Sequence, residues 1–252
     1  MTILKELINR NSIGRKSVSV LIDPDKCGDD QSILRIIEIA NENYVDFFFV
    51  GGSLITTPNM HSIISLIRDH TQIPIILFPG SNMHIDTSAD GILFLSLISG
   101  RNPDLLIGQH VAAAPLLKAS GLEVLPTGYM LINSGQPTSA SYMSNTTPIP
   151  ADKYAIASST ALAGEFLGLR LIYLDAGSGG GPISAAMIAA VRKVISVPLI
   201  VGGGIDRPEK ALLALENGAD MIVIGNAVEK NPDLLIGVSE KVYDMNKALN
   251  IH

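Results

Sequence analysis

The sequence has little of several features that mark particular protein classes. It holds one cysteine, Cys27, among 252 residues, and a lone thiol cannot form a disulfide within the chain. This scarcity fits a reducing compartment, so we expect a cytoplasmic protein and not a disulfide-stabilised secreted domain. A nucleophilic role for Cys27 stays open, but no base is evident near it in the sequence. A small, partly buried residue is the favoured interpretation.

Basic charge and long apolar runs are also scarce. The 18 Lys and Arg residues are outnumbered by 24 Asp and Glu, the net charge is −6, and there is no long basic run, which argues against broad capture of nucleic acid. No stretch approaches the roughly 20 apolar residues that a membrane span needs, and the first 16 residues lack the apolar segment of a signal peptide. Any anionic ligand must therefore be held locally, by backbone amides, helix N-termini or a metal.

Short apolar segments and glycine are abundant instead. Hydrophobic residues make up 47 % of the chain, and glycine occupies 23 positions. Eight short runs are rich in Val, Ile, Leu and Phe without alternation, which is typical of parallel strands covered on both faces. These predicted strands are residues 18–22, 45–50, 73–78, 91–95, 123–133, 171–174, 198–201 and 221–224.

Amphipathic helical patterns lie between most of these strands. A short amphipathic helix ending near Asn11, with Leu4, Leu7 and Ile8 on one face, comes first, and helices follow at residues 30–43, 151–167, 182–195 and 208–217. Eight strands with helical crossovers favour a (β/α)8 TIM barrel over an open sheet, with residues 1–252 as a single domain. Residues 79–90 contain Pro, Gly and Asn without helical periodicity, so the third helix is predicted to be irregular or missing. Residues 134–150 are polar and either close over the active site or form a solvated connector.

Glycine-rich turns follow the last three predicted strands. Backbone amides in such turns can approach an anion closely, and the helix after each turn adds its dipole. Phosphate sites in this fold are often built from the last strands, although glycines that only make tight turns are the alternative. The residues at these strand ends are Tyr173, Leu174, Asp175, Ala176, Gly177, Ser178, Gly179, then Gly202, Gly203, Gly204, Ile205, Asp206, then Gly225 and Asn226.

Carboxylates also stand at strand ends. Asp175 lies among the glycines, where it suits a base or a hydroxyl-orienting group better than packing, with a helix N-cap as the alternative. Asp23 and Asp25 follow the first strand and suit Mg²⁺, unless Asp-Pro-Asp only forms a turn. Ser53, after the second strand, can add an oxygen ligand or a phosphate hydrogen bond. The five histidines show no metal-ligand spacing, so we interpret His61, His70, His84, His110 and His252 as surface or supporting residues.

Taken together, these segments resemble the geranylgeranylglyceryl phosphate synthase family, prenyltransferases that make the first ether bond of archaeal-type lipids. The resemblance covers nearly the whole chain. Within the family, the chain is similar to the second group, which has bacterial as well as archaeal members. The segments that carry it are Leu21-Ile22-Asp23-Pro24-Asp25-Lys26, Gly51-Gly52-Ser53, Gly128-Tyr129 with Asn133, Tyr173 to Gly179, Gly202 to Asp206, and Gly225-Asn226.

The resemblance implies a reaction and the residues that perform it. The 3-hydroxyl of sn-glycerol 1-phosphate would attack C1 of a prenyl diphosphate, with geranylgeranyl diphosphate as the expected donor, and diphosphate would leave. Residues 173–179, 203–204 and 225–226 would hold glycerol phosphate, and Asp175 would receive or orient the hydroxyl proton. Asp23 and Ser53 would bind Mg²⁺. The same resemblance implies a homo-oligomer, dimer or hexamer, that contacts a membrane surface only peripherally, to release its lipid product.

The chain departs from the first group of that family at two places. First-group members have Glu where this chain has Asp175, and a carboxylate one methylene shorter must sit closer or act through water. A first-group Lys before the position of Asp23 is absent here, which leaves Lys26 or another mobile residue to meet the diphosphate. The alternatives from the residues alone are another phosphate-binding barrel enzyme, such as a sugar-phosphate isomerase, epimerase or aldolase, and a non-catalytic phosphate-binding barrel.

Overall fold

Eight parallel strands close into a barrel in sequential order. The computed structural model describes residues 2–249. The TIM-barrel prediction is confirmed, and no predicted strand end differs from the structure by more than two residues. The strands are β1 (Ser17–Ile22), β2 (Phe47–Gly52), β3 (Ile75–Pro79), β4 (Gly91–Leu97), β5 (Glu123–Leu131), β6 (Leu171–Asp175), β7 (Leu199–Gly202) and β8 (Met221–Ile224).

Helices surround the barrel and begin where the sequence offers caps. Ser184 accepts from the Met187 amide at the start of one helix, and Pro208 occupies the first turn of another. A π-helical turn, Asp104–Gly108, leads into α4. The helices are α1 (Ile3–Ile13), α2 (Asp30–Glu42), α3 (Met60–His70), α4 (Gln109–Ser120), α5 (Ser139–Ser144), α6 (Tyr154–Phe166), α7 (Ala185–Arg192), α8 (Pro208–Glu216), α9 (Asn226–Lys230) and α10 (Leu234–Ala248). No helix within residues 2–249 is long and apolar enough to cross a bilayer.

The two irregular connections behave differently. Between β3 and β4 the chain forms only turns, so the missing helix at this place is confirmed. Residues 134–150 are not structureless, because they contain the short helix α5. Thr138 caps it: its hydroxyl accepts from the Ser141 amide, and the Ser141 hydroxyl accepts from the Thr138 amide.

The core has an inner layer within the barrel and an outer layer between the strands and the helices. Along β6, Leu171 and Tyr173 pack inside the barrel, whereas Ile172 and Leu174 pack on the outer side. Because side chains alternate along a strand, Asp175 falls on the same side as Tyr173, at the carboxyl end of the barrel. The strand period therefore places a carboxylate at the mouth where barrel enzymes hold their substrates.

Candidate active site

A cavity of about 460 Å³ opens at the carboxyl ends of the strands. Turns after β1, β2, β6, β7 and β8 form its wall, and Ser139 and Ala140 of α5 contribute from the long loop. The structure brings most of the predicted site residues to this one cavity: Asp23, Ser53, Tyr173, Asp175, Gly177, Ser178, Gly179, Gly203, Gly204, Gly225 and Asn226.

Two predicted substrate-binding residues are not part of this wall. Leu174 and Ala176 are buried in the outer layer, among residues that face the helices. The Ala176 amide is also occupied, since it donates to the Gly202 carbonyl at 3.0 Å. Strand alternation turns these two side chains away from the cavity, so any contribution from them to substrate binding would be indirect.

The glycine turns after β6 and β7 lie against each other. Gly177, Gly179, Gly203 and Gly204 have positive φ angles of 72°, 88°, 83° and 69°. A Cβ atom at Gly203 would lie 2.8 Å from the Gly177 nitrogen and 2.9 Å from the Ala176 Cβ. Glycine is therefore required here for the close approach of two backbones as well as for the left-handed conformation. The predicted anion site and the tight-turn alternative are compatible, because the same conformation serves both.

Asp175 is buried and both of its oxygens accept hydrogen bonds. The Tyr129 hydroxyl donates to Oδ2, and the Gly177 amide donates to Oδ1 at 2.7 Å. Burial raises the pKa of Asp175 above its ordinary value, and the two hydrogen bonds oppose that rise. A carboxylate with a raised pKa takes up a proton more readily, as a general base requires.

Tyr129 is a site residue whose role the sequence did not reveal. It lies 46 positions before Asp175, and only the pairing of β5 with β6 brings Tyr129 opposite Tyr173. Their ring centroids are 5.5 Å apart, and the Phe78 ring is 5.6 Å from that of Tyr173. Burial and the Asp175 charge raise the pKa of both phenols, so both stay protonated and able to donate.

Asp23, which follows β1, is buried in the same cavity beside the turn after β2. Its carboxylate pairs with the Lys26 ammonium at 2.5 Å and accepts from the Asp25 amide at 3.1 Å. A Cβ atom at Gly52 would lie 3.1 Å from Asp23 Oδ2, so the turn that carries Ser53 passes directly over this carboxylate. Among the described residues no group of three or more His, Cys, Asp or Glu side chains could cage a metal. One carboxylate and one hydroxyl, completed by phosphate oxygens and water, are a donor set that suits Mg²⁺.

Asp25 has a different environment from Asp23. Its carboxylate accepts from the amides and the hydroxyls of both Thr56 and Thr57, at distances of 2.6–3.1 Å. These four hydrogen bonds hold the pKa of Asp25 well below its ordinary value. Asp25 thus fixes the loop before α3 to the end of β1, and the geometry supports the turn interpretation for this carboxylate.

The remaining predicted candidates lie outside the reacting groups. Burial, with the charges of Glu229 and Asp23, raises the pKa of Cys27 to about 11, so the thiolate that a nucleophile needs is disfavoured. His61 contacts Asp86 and His84 accepts from the Gly80 amide. His110, which we interpreted as a surface or supporting residue, is buried against the Phe94 ring. His252 lies outside the described residues.

Known proteins resemble this chain along its whole length. The sequence profile of the PcrB family matches residues 11–243. Geranylgeranylglyceryl phosphate synthase of Spirosoma linguale is 56 % identical over 250 residues, with 99 % of each chain covered, and that of Chitinophaga pinensis is 48 % identical over 242 residues, with 96 % of each chain covered. The crystal structure of (S)-3-O-geranylgeranylglyceryl phosphate synthase from Thermoplasma acidophilum, in complex with sn-glycerol-1-phosphate, superposes with a TM-score of 0.90 at 34 % identity, over 97 % of this chain and 99 % of that one. The profile match and the identity over nearly the full length agree with the cavity geometry, and the chain therefore belongs to the PcrB family, the family of these geranylgeranylglyceryl phosphate synthases.

Proposed function

We propose that this protein is an enzyme that joins a prenyl diphosphate to the 3-hydroxyl of sn-glycerol 1-phosphate. The observation that carries the proposal is that Asp175, a buried carboxylate with a raised pKa, lines the same cavity as the glycine turns and Asp23. The relatives named geranylgeranylglyceryl phosphate synthase support the same reaction, and the structure of one of them is a complex with sn-glycerol-1-phosphate.

The reaction divides between the two sides of the cavity. The turns after β6, β7 and β8 hold the phosphate through the backbone amides of Ser178–Gly179, Gly203–Gly204 and Gly225–Asn226, since the Gly177 amide already donates to Asp175. The 3-hydroxyl oxygen then forms a bond to C1 of the prenyl group while the bond from C1 to the diphosphate oxygen breaks. The diphosphate leaves with that electron pair, and the hydroxyl proton passes to Asp175, directly or through water.

The Asp23 side meets the diphosphate. Asp23 and Ser53 would hold Mg²⁺, which supplies positive charge to a leaving group that is otherwise strongly anionic. Lys26 forms an ion pair with Asp23, and its side chain is 43 % exposed, so its ammonium can turn toward a diphosphate oxygen. Geranylgeranyl diphosphate is the proposed donor.

A sugar-phosphate isomerase, epimerase or aldolase would need a different arrangement. Such enzymes use a Schiff-base lysine or an acid–base pair beside the bound sugar. Lys26 and Lys230 line the cavity, but each follows a strand in a turn or short helix, and no lysine lies on the described segments of β1 to β8. Of the two buried carboxylates that line the cavity, Asp23 is paired with Lys26, and Asp175 is the one left for a hydroxyl, which suits alkyl transfer better.

The reaction and its stereochemistry provide the test. With Mg²⁺, sn-glycerol 1-phosphate and geranylgeranyl diphosphate, we expect diphosphate release and an ether-linked product whose mass equals that of the two substrates together minus the diphosphoric acid released. The sn-glycerol 3-phosphate enantiomer should react on the order of 10²-fold more slowly, because a pinned phosphate places only one enantiomer's primary hydroxyl near both Asp175 and C1. The same reaction in EDTA should stop and should recover when Mg²⁺ is restored. Absence of product with any prenyl diphosphate would refute the function, equal use of both enantiomers would refute the geometry, and full activity in EDTA would refute the metal site.

We also propose that the protein is a homo-oligomer, a dimer or a hexamer. An apolar groove lies between α6 and the connection from β4 to α4, with Ile98, Leu106, Ile156 and Leu167 in its wall. Leu167 is 80 % exposed and Ile156 is 49 % exposed in the single chain. Contiguous apolar surface of this kind is typical of association surfaces, and a second copy of the chain is the proposed occupant.

A further inference from the structure

The two halves of the proposed site meet where the barrel closes. β8 pairs with β1 in parallel, and the register ends with Val20 opposite Ile224. The turn that carries Asp23 and the turn that carries Asn226 therefore leave the barrel side by side. Strand pairing fixes their starting points, but it does not fix the turns beyond the last ladder residues.

One side chain joins these turns. Oε1 of Glu229, on α9, accepts a hydrogen bond from the Asp23 backbone amide at 3.3 Å. The other hydrogen bonds of Asp23 stay within its own turn, because its carbonyl accepts from the Lys26 and Cys27 amides and its carboxylate binds Lys26 and the Asp25 amide. The amide of Asp23 is thus the group that ties this turn to α9.

The location of Glu229 is electrostatically costly, which argues against a chance contact. The side chain is half-buried and lies close to the Asp23 carboxylate, so the two negative charges repel each other. Lys26 and Lys230 offset part of this repulsion. A backbone amide that would otherwise lack an acceptor gives the carboxylate a specific partner.

We propose that Glu229 is a positioning residue, which holds the turn carrying Asp23 in register with the turn carrying Asn226. Its effect on turnover rests on the proposed function, because it acts through the distance between the diphosphate side and the glycerol phosphate side. Groups that orient a metal ligand typically change metal affinity or activity by about 10- to 100-fold when they are removed. Glu229 does not itself contact the reacting atoms.

Three substitutions separate the hydrogen bond from the charge. Glu229→Gln keeps an oxygen of the same reach and removes the charge, whereas Glu229→Asp keeps the charge and withdraws the oxygen by one methylene. Glu229→Ala removes both. Glu240→Ala is the control, because Glu240 is an exposed glutamate on α10.

Hydrogen exchange followed by mass spectrometry gives a readout that does not depend on activity. Peptides that contain residues 21–29 should exchange about 10-fold or more faster in Glu229→Asp and Glu229→Ala, and close to the wild-type rate in Glu229→Gln and Glu240→Ala. In parallel, the Mg²⁺ concentration for half-maximal turnover should rise about 10-fold in the Asp and Ala variants, with a smaller change in KM for glycerol phosphate. Glu229→Gln should recover most of this loss.

Each outcome has a defined meaning. Unchanged exchange and Mg²⁺ dependence in both Glu229→Asp and Glu229→Ala would overturn the proposal. A loss in Glu229→Gln as large as that in Glu229→Ala would also overturn it, because charge and not position would then be responsible. If Glu229→Ala fails to fold, the comparison of the Gln and Asp variants still decides. If the wild type transfers no prenyl group, the proposed function fails, whereas the exchange measurement still tests the link between the turns.

Discussion

At the scale of single residues, Asp175 depends on two donors that hold its carboxylate in one orientation. We expect Asp175→Asn to keep the fold and the affinity for glycerol phosphate but to lower kcat by about 10²–10⁴-fold, the usual contribution of a general base. In the wild type, the rate should fall as pH falls through the raised pKa of Asp175, and Asp175→Asn should lack that acid limb. Thermal unfolding checks the fold. A loss below about fivefold would leave Asp175 a structural residue.

A second residue-scale prediction concerns the glycine turns. Gly203→Val should raise KM for glycerol phosphate, but it should also lower Tm, because its Cβ would meet the Gly177 nitrogen and the Ala176 Cβ at a φ of 83°. Ser178→Ala is the matched variant, since Ser178 is exposed in the same cavity. It should raise KM without a change in Tm. Unchanged KM in both variants would place the phosphate elsewhere.

At the scale of elements, helix α4 carries a buried titratable group against β4. The His110 ring packs edge-to-face on Phe94 with centroids 4.5 Å apart, and within residues 2–249 neither ring nitrogen has a hydrogen-bond partner of normal geometry. Burial lowers the pKa of His110, so the folded protein keeps this ring neutral. In the unfolded chain the histidine has an ordinary pKa near 6.5, so below that pH the unfolded chain binds a proton at His110 more readily than the folded protein does.

This environment predicts how α4 contributes to acid sensitivity. The free energy of unfolding should fall as pH drops below about 6.5, since the unfolded state then binds more protons. His110→Phe should reduce that fall, and thermal unfolding at pH 7.5 and pH 5 measures it. His84, whose pKa is also lowered by burial, is the matched comparison and should account for part of the remaining slope. If stability falls with pH as steeply in His110→Phe as in the wild type, His110 is not the source of the acid sensitivity.

The long loop is a second element with a defined position. The turn after β6 packs beneath it so closely that a Cβ atom at Gly177 would lie 2.5 Å from the Thr138 Cγ2. Thr138 also caps α5, whose first residues reach the cavity wall. The loop therefore packs against the turn that follows Asp175, and α5 forms part of the cavity wall.

At the scale of the whole molecule, the proposed oligomer gives a direct prediction. Ile156→Glu places a charge in the apolar groove and should shift the mass measured by light scattering toward that of one chain, because burial of an unpaired charge is unfavourable. Leu213→Glu, at an exposed apolar position of α8 outside the groove, should leave the mass unchanged. A wild-type protein with the mass of a single chain would refute the proposal.

Helix α1 packs at the amino ends of the strands, on the side of the barrel opposite the cavity. Glu123 accepts from the Ile3 and Leu4 amides at the start of α1, and Ile3 and Leu7 join the inner core. The amphipathic pattern predicted this helix with Leu4, Leu7 and Ile8 on its apolar face. In the structure Leu7 and Ile3 are the buried pair, while Leu4 and Ile8 are only partly covered.

Much of the fold and part of the site follow from local patterns in the chain. Short apolar runs identified all eight strands, and Pro and Gly in residues 79–90 identified the missing helix, because both signals depend on neighbouring residues. The grouping of three glycine turns, with Asp23, Ser53 and Asp175 at strand ends, follows from the rule that parallel strands end at one edge. The outward direction of Leu174 and Ala176 was also accessible, since both alternate with Tyr173 and Asp175.

Other features depended on contacts between distant parts of the chain. Tyr129 reaches Asp175 across 46 positions, Asp25 turns to Thr56 and Thr57, and Glu229 reaches Asp23 across 206 positions. Sequence periodicity shows which face of a strand a residue occupies, but not which residue of another strand lies beside it. That depends on the register of eight paired strands and on the closure of β8 onto β1. The tertiary structure alone therefore distinguishes the carboxylate available to a cation, Asp23, from the one that fixes a loop, Asp25.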